Sequence, residues 1–539
     1  MTQTGQWLAS HPQRHMTFKA TQFRHSAAFP NLFRSFFKII LLISVWWSHV
    51  VFAAGESEAP QPPPHFFKES CLAQLPLAGQ LLELRISPDN AHIAYSYYFG
   101  TNVTAWLDGV QLGSYDDAGN FVFSPDGRHL AYICRRGWDY SLVRDCQEGA
   151  KYTDIGKGCV FFSGDSQHLA YLARRGSKWI AVHDTKEGKG YDRIGKAVVL
   201  SHDGSRLAYP VIEKKEDFTV VDGEEGVRCD GLGSFHFSPD GKHYGYVVPL
   251  REKWLVVLDG KAEQYSEVLS NGVIFSRDSK KSIYAAAEEA GRFRVYLNGA
   301  KSKEFESIGT SLLAISPDSQ RVAYGGKREG KWRVMIDEKE TPAYDGIMAE
   351  SLVFSPDSAH VAFAFQRGTQ WFVALDGKES KAYEGIGAGS VVFSPDSKHL
   401  AFVAGRNGKF MAVLDDAEGQ PYSDIGAHDL LFSHDSRHFA YVARQTKGWL
   451  VVVDEKPGKE YESIALRPFS FAPNDHSLAF VASEGEKYFF VVDGKESKRY
   501  EQFLYSPQAG NAFKSLQLVA TTNDAVFGRR LVCVEASGR

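Results

Sequence analysis

The chain has 539 residues, a net charge of −4, 43% hydrophobic and 23% charged residues. That length is too great for one ordinary domain, and the composition excludes a disordered chain. Acids and bases are interspersed, so no basic face marks a nucleic-acid partner, and an aromatic content of 13% suits a β-rich protein.

In chain order, residues 1–54 come first. The stretch "FRSFFKIILLISVWWSHVVFAAG" (33–55) sets Arg34 and Lys38 before an apolar run that ends in small residues near Ala53 and Ala54. This is the pattern of a secretory signal peptide. The expected location is the periplasm or the cell exterior, with membrane contact only through this segment. An uncleaved inner-membrane anchor is the alternative. Residues 55–66 ("GESEAPQPPPHF") form a Pro-rich linker.

From residue 67 a repeat takes over. "FSPDSKHLAFVA" (393–404) has near-copies such as "FSPDGRHLAYIC" (123–134) and "FSPDSAHVAFAF" (354–365). The turn aspartate recurs at Asp89, Asp126, Asp165, Asp203, Asp240, Asp278, Asp318, Asp357, Asp396 and Asp435, at spacings of 37 to 40 residues. Pro fixes φ in this turn and Asp bonds nearby amides. In the unit around residue 396, "SVVFS" (390–394) is an apolar strand, "HLAFVAG" (399–405) a second, and a Gly-containing turn leads to a third from Lys409. "KAYEGIG" (381–387) reads as the short fourth strand of the unit before. Four short antiparallel strands at a period near 39 predict an all-β fold, a β-propeller of about twelve four-stranded blades.

Single propellers have 4–8 blades. Twelve units therefore predict two tandem propellers, 67–308 and 309–539, divided after the most divergent unit (275–293). One large ring is the alternative.

Two aromatic columns follow each turn. One opens the third strand (Tyr140, Trp179, Phe218, Trp254) and one lies in the fourth (Tyr152, Tyr191, Tyr265, Tyr344). Both are read as filling the gaps between blades.

The motif "FSPDG-x-x-LAY" with a "V-V-D-G" strand end resembles the WD-repeat-like propeller repeats of bacterial exported proteins, TolB-propeller-like, over roughly 73–500. The resemblance implies the fold and says little of function.

No catalytic, cofactor or metal residue is assigned. There is no G-x-S-x-G, no P-loop and no zinc spacing. His92, His129, His168, His243, His360, His399 and His438 form a column before the second strand. Equivalent positions in stacked sheets stand about 10 Å apart, too far to share an ion, so the column reads as hydrogen-bonding structure. His202 and His434 replace the turn Pro and read as surface variation. Only His428 and Asp429 look polar where a channel would run. The functional expectation is a non-enzymatic exported scaffold, with no cofactor, binding a protein or cell-envelope component through its loop rims. The alternative is a hydrolase or lactonase with a site in a propeller channel.

Six cysteines in an exported chain raise the question of disulfides. Cys134 and Cys159 end and begin neighbouring sheets and form one candidate pair. The last unit lacks a fourth strand, and residues near 67–75 are expected to supply it beside 529–536. That pairing makes Cys71 and Cys533 the second candidate pair.

Overall fold

The computed structural model describes residues 67–74, 79–213, 216–231, 233–269, 272–426, 429–472, 477–504, 517–524 and 528–536. All of them belong to one compact unit, Pro64–Arg539. The expected leader and linker lie outside the described residues.

Blade 9 shows how the repeat folds. Its central strand, Leu400–Arg406, pairs with Lys409–Leu414 on one side. On the other it pairs with two short pieces, Gly385–Ile386 and Val392–Phe393. Between those pieces the ladder is interrupted, and the amide of Val403 needs another acceptor. Buried Ser390 supplies it: the Val403 N–H donates to Ser390 Oγ at 3.1 Å, and Ser390 Oγ donates to Gly387 O at 2.7 Å. Gly385–Ile386 thus begins a blade instead of ending the previous one. The fourth strand of blade 8 is Lys378–Glu379, followed by the Trp371–Tyr383 bridge.

Leu400 to Ala404 are all buried, because both faces of a blade are covered. Side chains alternate along the strand. Leu400, Phe402 and Ala404 pack towards blade 8, and Ala401 and Val403 towards blade 10. Burying a Leu or Phe side chain contributes about 1.5–3 kcal/mol, so these shared layers hold the assembly together.

Among the described residues there is no helix, and the strands form twelve antiparallel sheets of this design, in chain order. The fold is an all-β propeller. Apolar clusters join each blade to the next from the first to the twelfth. The boundary expected at 308/309 falls inside a strand, Ser307–Ile315. The cluster there, including Phe293, Phe305, Ile308 and Tyr324, joins blades 6 and 7 as the others do.

The twelfth sheet is closed by the N-terminal strand. Its order is Gln502–Leu504, Gln517–Asp524, Gly528–Ala536 and then Phe67–Gln74, as the missing fourth strand led us to expect. The register sets Ser70 opposite Cys533 and Cys71 opposite Val532. The two cysteines are one residue out of step, and a one-residue offset exchanges the faces of a sheet. Cys71 is an exposed free thiol, and Cys134 and Cys159 are buried free thiols. Neither expected disulfide is formed.

Of the aromatic columns, the fourth-strand members fill the gaps: Tyr152, Tyr191, Tyr265, Phe305, Tyr344, Tyr383, Tyr422, Tyr461 and Tyr500 are all buried. The third-strand members differ among themselves, and Trp254, Phe410 and Tyr488 are exposed. Blade 4 departs in register: Asp217 bridges Cys229 where blades 2, 3 and 5 to 11 pair two aromatics, so Cys229 takes the tyrosine's place.

Candidate functional site

The turn aspartate is hydrogen-bonded within its own turn in blades 1 to 10. In blade 8, Ser355 Oγ donates to Asp357 Oδ1 at 2.5 Å, and the same oxygen accepts the Ala359 N–H at 2.9 Å. The serine hydroxyl in turn accepts the His360 N–H at 2.9 Å. The Ser–Asp bond recurs at Asp89, Asp126, Asp165, Asp203, Asp240, Asp278, Asp318, Asp396 and Asp435. It holds most of these carboxyls below the usual carboxylate range, and Asp240 and Asp396 at about 2. A carboxylate committed in this way is a poor general base.

In six blades a serine after the Asp links neighbouring blades. Ser358 has φ of 66°, a region L-residues avoid, and its Oγ accepts the Asp318 N–H of blade 7 at 2.9 Å. Ser166, Ser279, Ser397 and Ser436 do the same for Asp126, Asp240, Asp357 and Asp396, and Ser319 for Asp278. Where the repeat has Gly, the neighbour takes the space: a Cβ on Gly204 would lie 2.4 Å from His168 Cβ. His202 also has a role. Its carbonyl accepts the Asp165 N–H at 2.9 Å. Its ring lies where a Cβ on Gly164 would be 2.0 Å from Nδ1, so the turn of blade 3 reads Gly-Asp instead of Pro-Asp.

The histidine column has partners that the sequence reading missed. His92, His129, His168, His243, His360, His399 and His438 each place Nδ1 2.5–2.8 Å from Oδ2 of Asp108, Asp145, Asp184, Asp259, Asp376, Asp415 and Asp454. The other carboxylate oxygen accepts the N–H of the residue after the histidine, as for Val361 and Asp376 at 2.9 Å. Arg206–Asp222 and Arg321–Asp337 replace the pair in blades 4 and 7. The constant 16-residue spacing of His and Asp was the available signal. The "V-V-D-G" aspartate therefore pins the turn to the third strand.

Of the expected channel residues, His428 lies outside the described residues, and Asp429 is buried beside Gly426, whose carbonyl accepts its N–H at 3.1 Å. Grooves of about 360, 320 and 270 Å³ lie between blades 10 and 11, 5 and 6, and 8 and 9. Their recurrence at one place in the repeat is a consequence of how blades pack.

Two departures from the repeat remain. On the turn face, blade 3 has His183 next to the His168–Asp184 pair. On the opposite face, the hairpin between second and third strands carries Trp138 in blade 2, 92% exposed. The matching described positions are Thr101, Ser177, Glu252, Gly291, Gly330, Thr369, Gly408 and Glu486. At the same end of blade 1, Phe99 is 60% exposed, with Leu82 and Tyr98 also exposed.

Neither a protein-family model nor a curated protein sequence matches the chain. Among solved structures it is similar to a eukaryotic initiation factor, at 13% identity and a TM-score of 0.31, over 61% of this chain and 95% of that one. It is also similar to the Dos1 propeller, at 14% identity and a TM-score of 0.27, over 53% and 89%. A third is the Cps50 (Swd1) β-propeller domain of Myceliophteria thermophila, at 11% identity and a TM-score of 0.22, over 47% and 94%.

Proposed function

We propose that the chain is a non-enzymatic propeller scaffold of the exported, TolB-like kind, which binds a protein of the cell envelope through the hairpin rim of blades 1 and 2. The observation that carries this reading is that Leu82, Tyr98, Phe99 and Trp138 are exposed together on adjacent blades, whereas blades 5, 9 and 11 each expose a single aromatic at this end, Trp254, Phe410 and Tyr488. Aromatic residues are enriched at protein interfaces, and Trp and Tyr are among the few residues that carry most of the binding energy. The turn carboxylates point the same way, since the fold itself occupies them.

The test uses residues that the repeat itself supplies at these positions. Envelope extract from the source cell is passed over the immobilised chain and over a Phe99→Arg, Trp138→Ser variant, copying Arg136 and Ser177. A protein retained in stoichiometric amount by the parent and lost by the variant supports the rim. Equal retention by both refutes the rim, and retention of nothing refutes the scaffold. Export is checked separately: N-terminal sequencing of the cellular protein should begin near residues 54–55, and an intact leader in the membrane fraction would replace export with anchoring.

A further inference from the structure

The repeat provides its own controls. Seven described blades hold a His–Asp pair of the same geometry, so the pair alone indicates nothing beyond structure. Blade 3 adds a third ligand. His183 ends the strand Lys178–His183, one residue before Asp184. The corresponding residues elsewhere are Leu107, Arg144, Val221, Leu258, Leu297, Ile336, Leu375, Leu414, Val453 and Val492. An imidazole stands where the repeat otherwise has an aliphatic side chain or an arginine. One ligand atom from each of His168, His183 and Asp184 lies within 4.8 Å of the other two.

The second ring is oriented from the neighbouring blade. His183 Nε2 lies 2.7 Å from the Gly204 carbonyl, which can only accept, so Nε2 carries the proton. In the neutral ring Nδ1 then holds a free lone pair. A metal-binding histidine commonly has this arrangement, donating its other N–H to a backbone carbonyl. Gly204 lacks the Cβ that would meet His168, so the blade 4 turn comes close enough to provide that carbonyl. The two rings are 6.1 Å apart, centroid to centroid. The side chains of His168 and Asp184 are 39% and 38% exposed, so a hydrated ion has direct access.

We propose that His168, His183 and Asp184 form a binding site for a divalent cation of the zinc class. Two imidazoles and one carboxylate suit zinc, copper or nickel and do not suit calcium or magnesium, which take oxygen ligands. Around tetrahedral zinc, ligand atoms lie about 3.3–3.4 Å apart for bonds of about 2.0–2.1 Å. From mutual distances within 4.8 Å the side chains would rotate to reach that spacing, and the ion would replace the proton between His168 and Asp184. Three protein ligands leave a fourth position for water or for a donor from a partner.

The experiment is a calorimetric titration of the untagged, chelator-stripped chain with Zn²⁺, with Co²⁺ visible absorption as a check on coordination. We expect one equivalent bound by the parent, with a four-coordinate Co²⁺ spectrum. His183→Leu should lose that equivalent; it copies Leu107 and Leu258 and retains the fold. His183→Gln should lose it too, while keeping a donor for the Gly204 carbonyl. His360→Gln breaks the same His–Asp pair in blade 8 and should leave binding unchanged. No binding by the parent, binding unchanged in both His183 variants, or equal loss in His360→Gln would each overturn the site.

Discussion

Ser358 gives the sharpest test of how the blades are joined. It sits at φ of 66°, and its hydroxyl accepts the Asp318 N–H from the preceding blade. Arg321 donates to the Ser358 and Ala359 carbonyls at 3.0 and 2.6 Å, so the turn stays in place when the side chain changes. Ser358→Ala removes the acceptor, keeps the unfavourable φ, and leaves a part-buried N–H without its partner. That should cost about 1–2 kcal/mol. Ser358→Gly loses the same bond but relieves about 1–2 kcal/mol of left-handed strain. It gives back about 0.5–1 kcal/mol of that in unfolded-chain freedom. The net cost for Gly is then about 0.5–1 kcal/mol, smaller than for Ala. Twelve blades need not unfold as one unit, so the readout is hydrogen exchange of the Asp318 amide alongside urea unfolding. A loss of about 1.4 kcal/mol corresponds to about tenfold faster exchange. If Ala is no worse than Gly, or Asp318 exchanges at the parent rate in both, the serine is not the link.

Asp357→Ala should lower stability through loss of the Ser355 and Ala359 hydrogen bonds, read as a lower urea midpoint, with no selective loss of binding at unchanged stability. The turn carboxyls are depressed in the folded chain, Asp240 and Asp396 to about 2 from an ordinary 3.8. The unfolded chain therefore takes up protons first, and the contribution is full above about pH 4 and lost as pH falls towards 2. Urea midpoints that stay flat or rise over that window would contradict the hydrogen-bonded turn. In the native protein, a thiol reagent should label exposed Cys71 and Cys146 first, while burial protects Cys134, Cys159 and Cys229 and pushes their thiols up, Cys134 to about 11. Labelling of all five at one rate, by peptide mass mapping, would refute this. Deleting residues 67–74 should uncover the strand Gly528–Ala536 as an open edge and cause self-association by light scattering. A monomer of parent stability would mean that the N-terminal strand is dispensable for closure.

What the sequence makes legible is whatever repeats. The turn aspartates, the count of strands per unit and the incomplete last blade follow from a period near 39, while the fourth strand lies earlier than expected, at Lys378–Glu379 in blade 8, with Gly385–Ile386 opening blade 9. The link from Ser358 to Asp318 is less visible, because it joins residues 40 apart that meet only when blades stack. The register of blade 4 breaks the repeat: reading by column puts Phe218 in the third-strand position, where Asp217 makes the bridge to Cys229. The Cys71–Cys533 pair fails because proximity of strands is readable from the repeat but register is not, and the two are one residue out of step. Cys134 and Cys159 fail because they face different gaps, the first between blades 1 and 2 and the second between blades 3 and 4.

Column reasoning also hides sites by its own logic. It places equivalent histidines in different blades, about 10 Å apart, and so dismisses metal. His168 and His183 are not equivalent; one is in the column and the other replaces an aliphatic residue inside the same blade. In a chain built from near-copies, positions that agree are explained by the fold they share. A side chain that disagrees, at no gain to packing, needs a different explanation. Trp138 on the hairpin rim and His183 on the turn face both meet that condition, on opposite faces. A Trp138→Ser change should therefore leave Zn²⁺ uptake intact, and His183→Leu should leave partner capture intact. Loss of both properties in either variant would show that the fold itself depends on the replaced side chain, and would remove the argument for both sites.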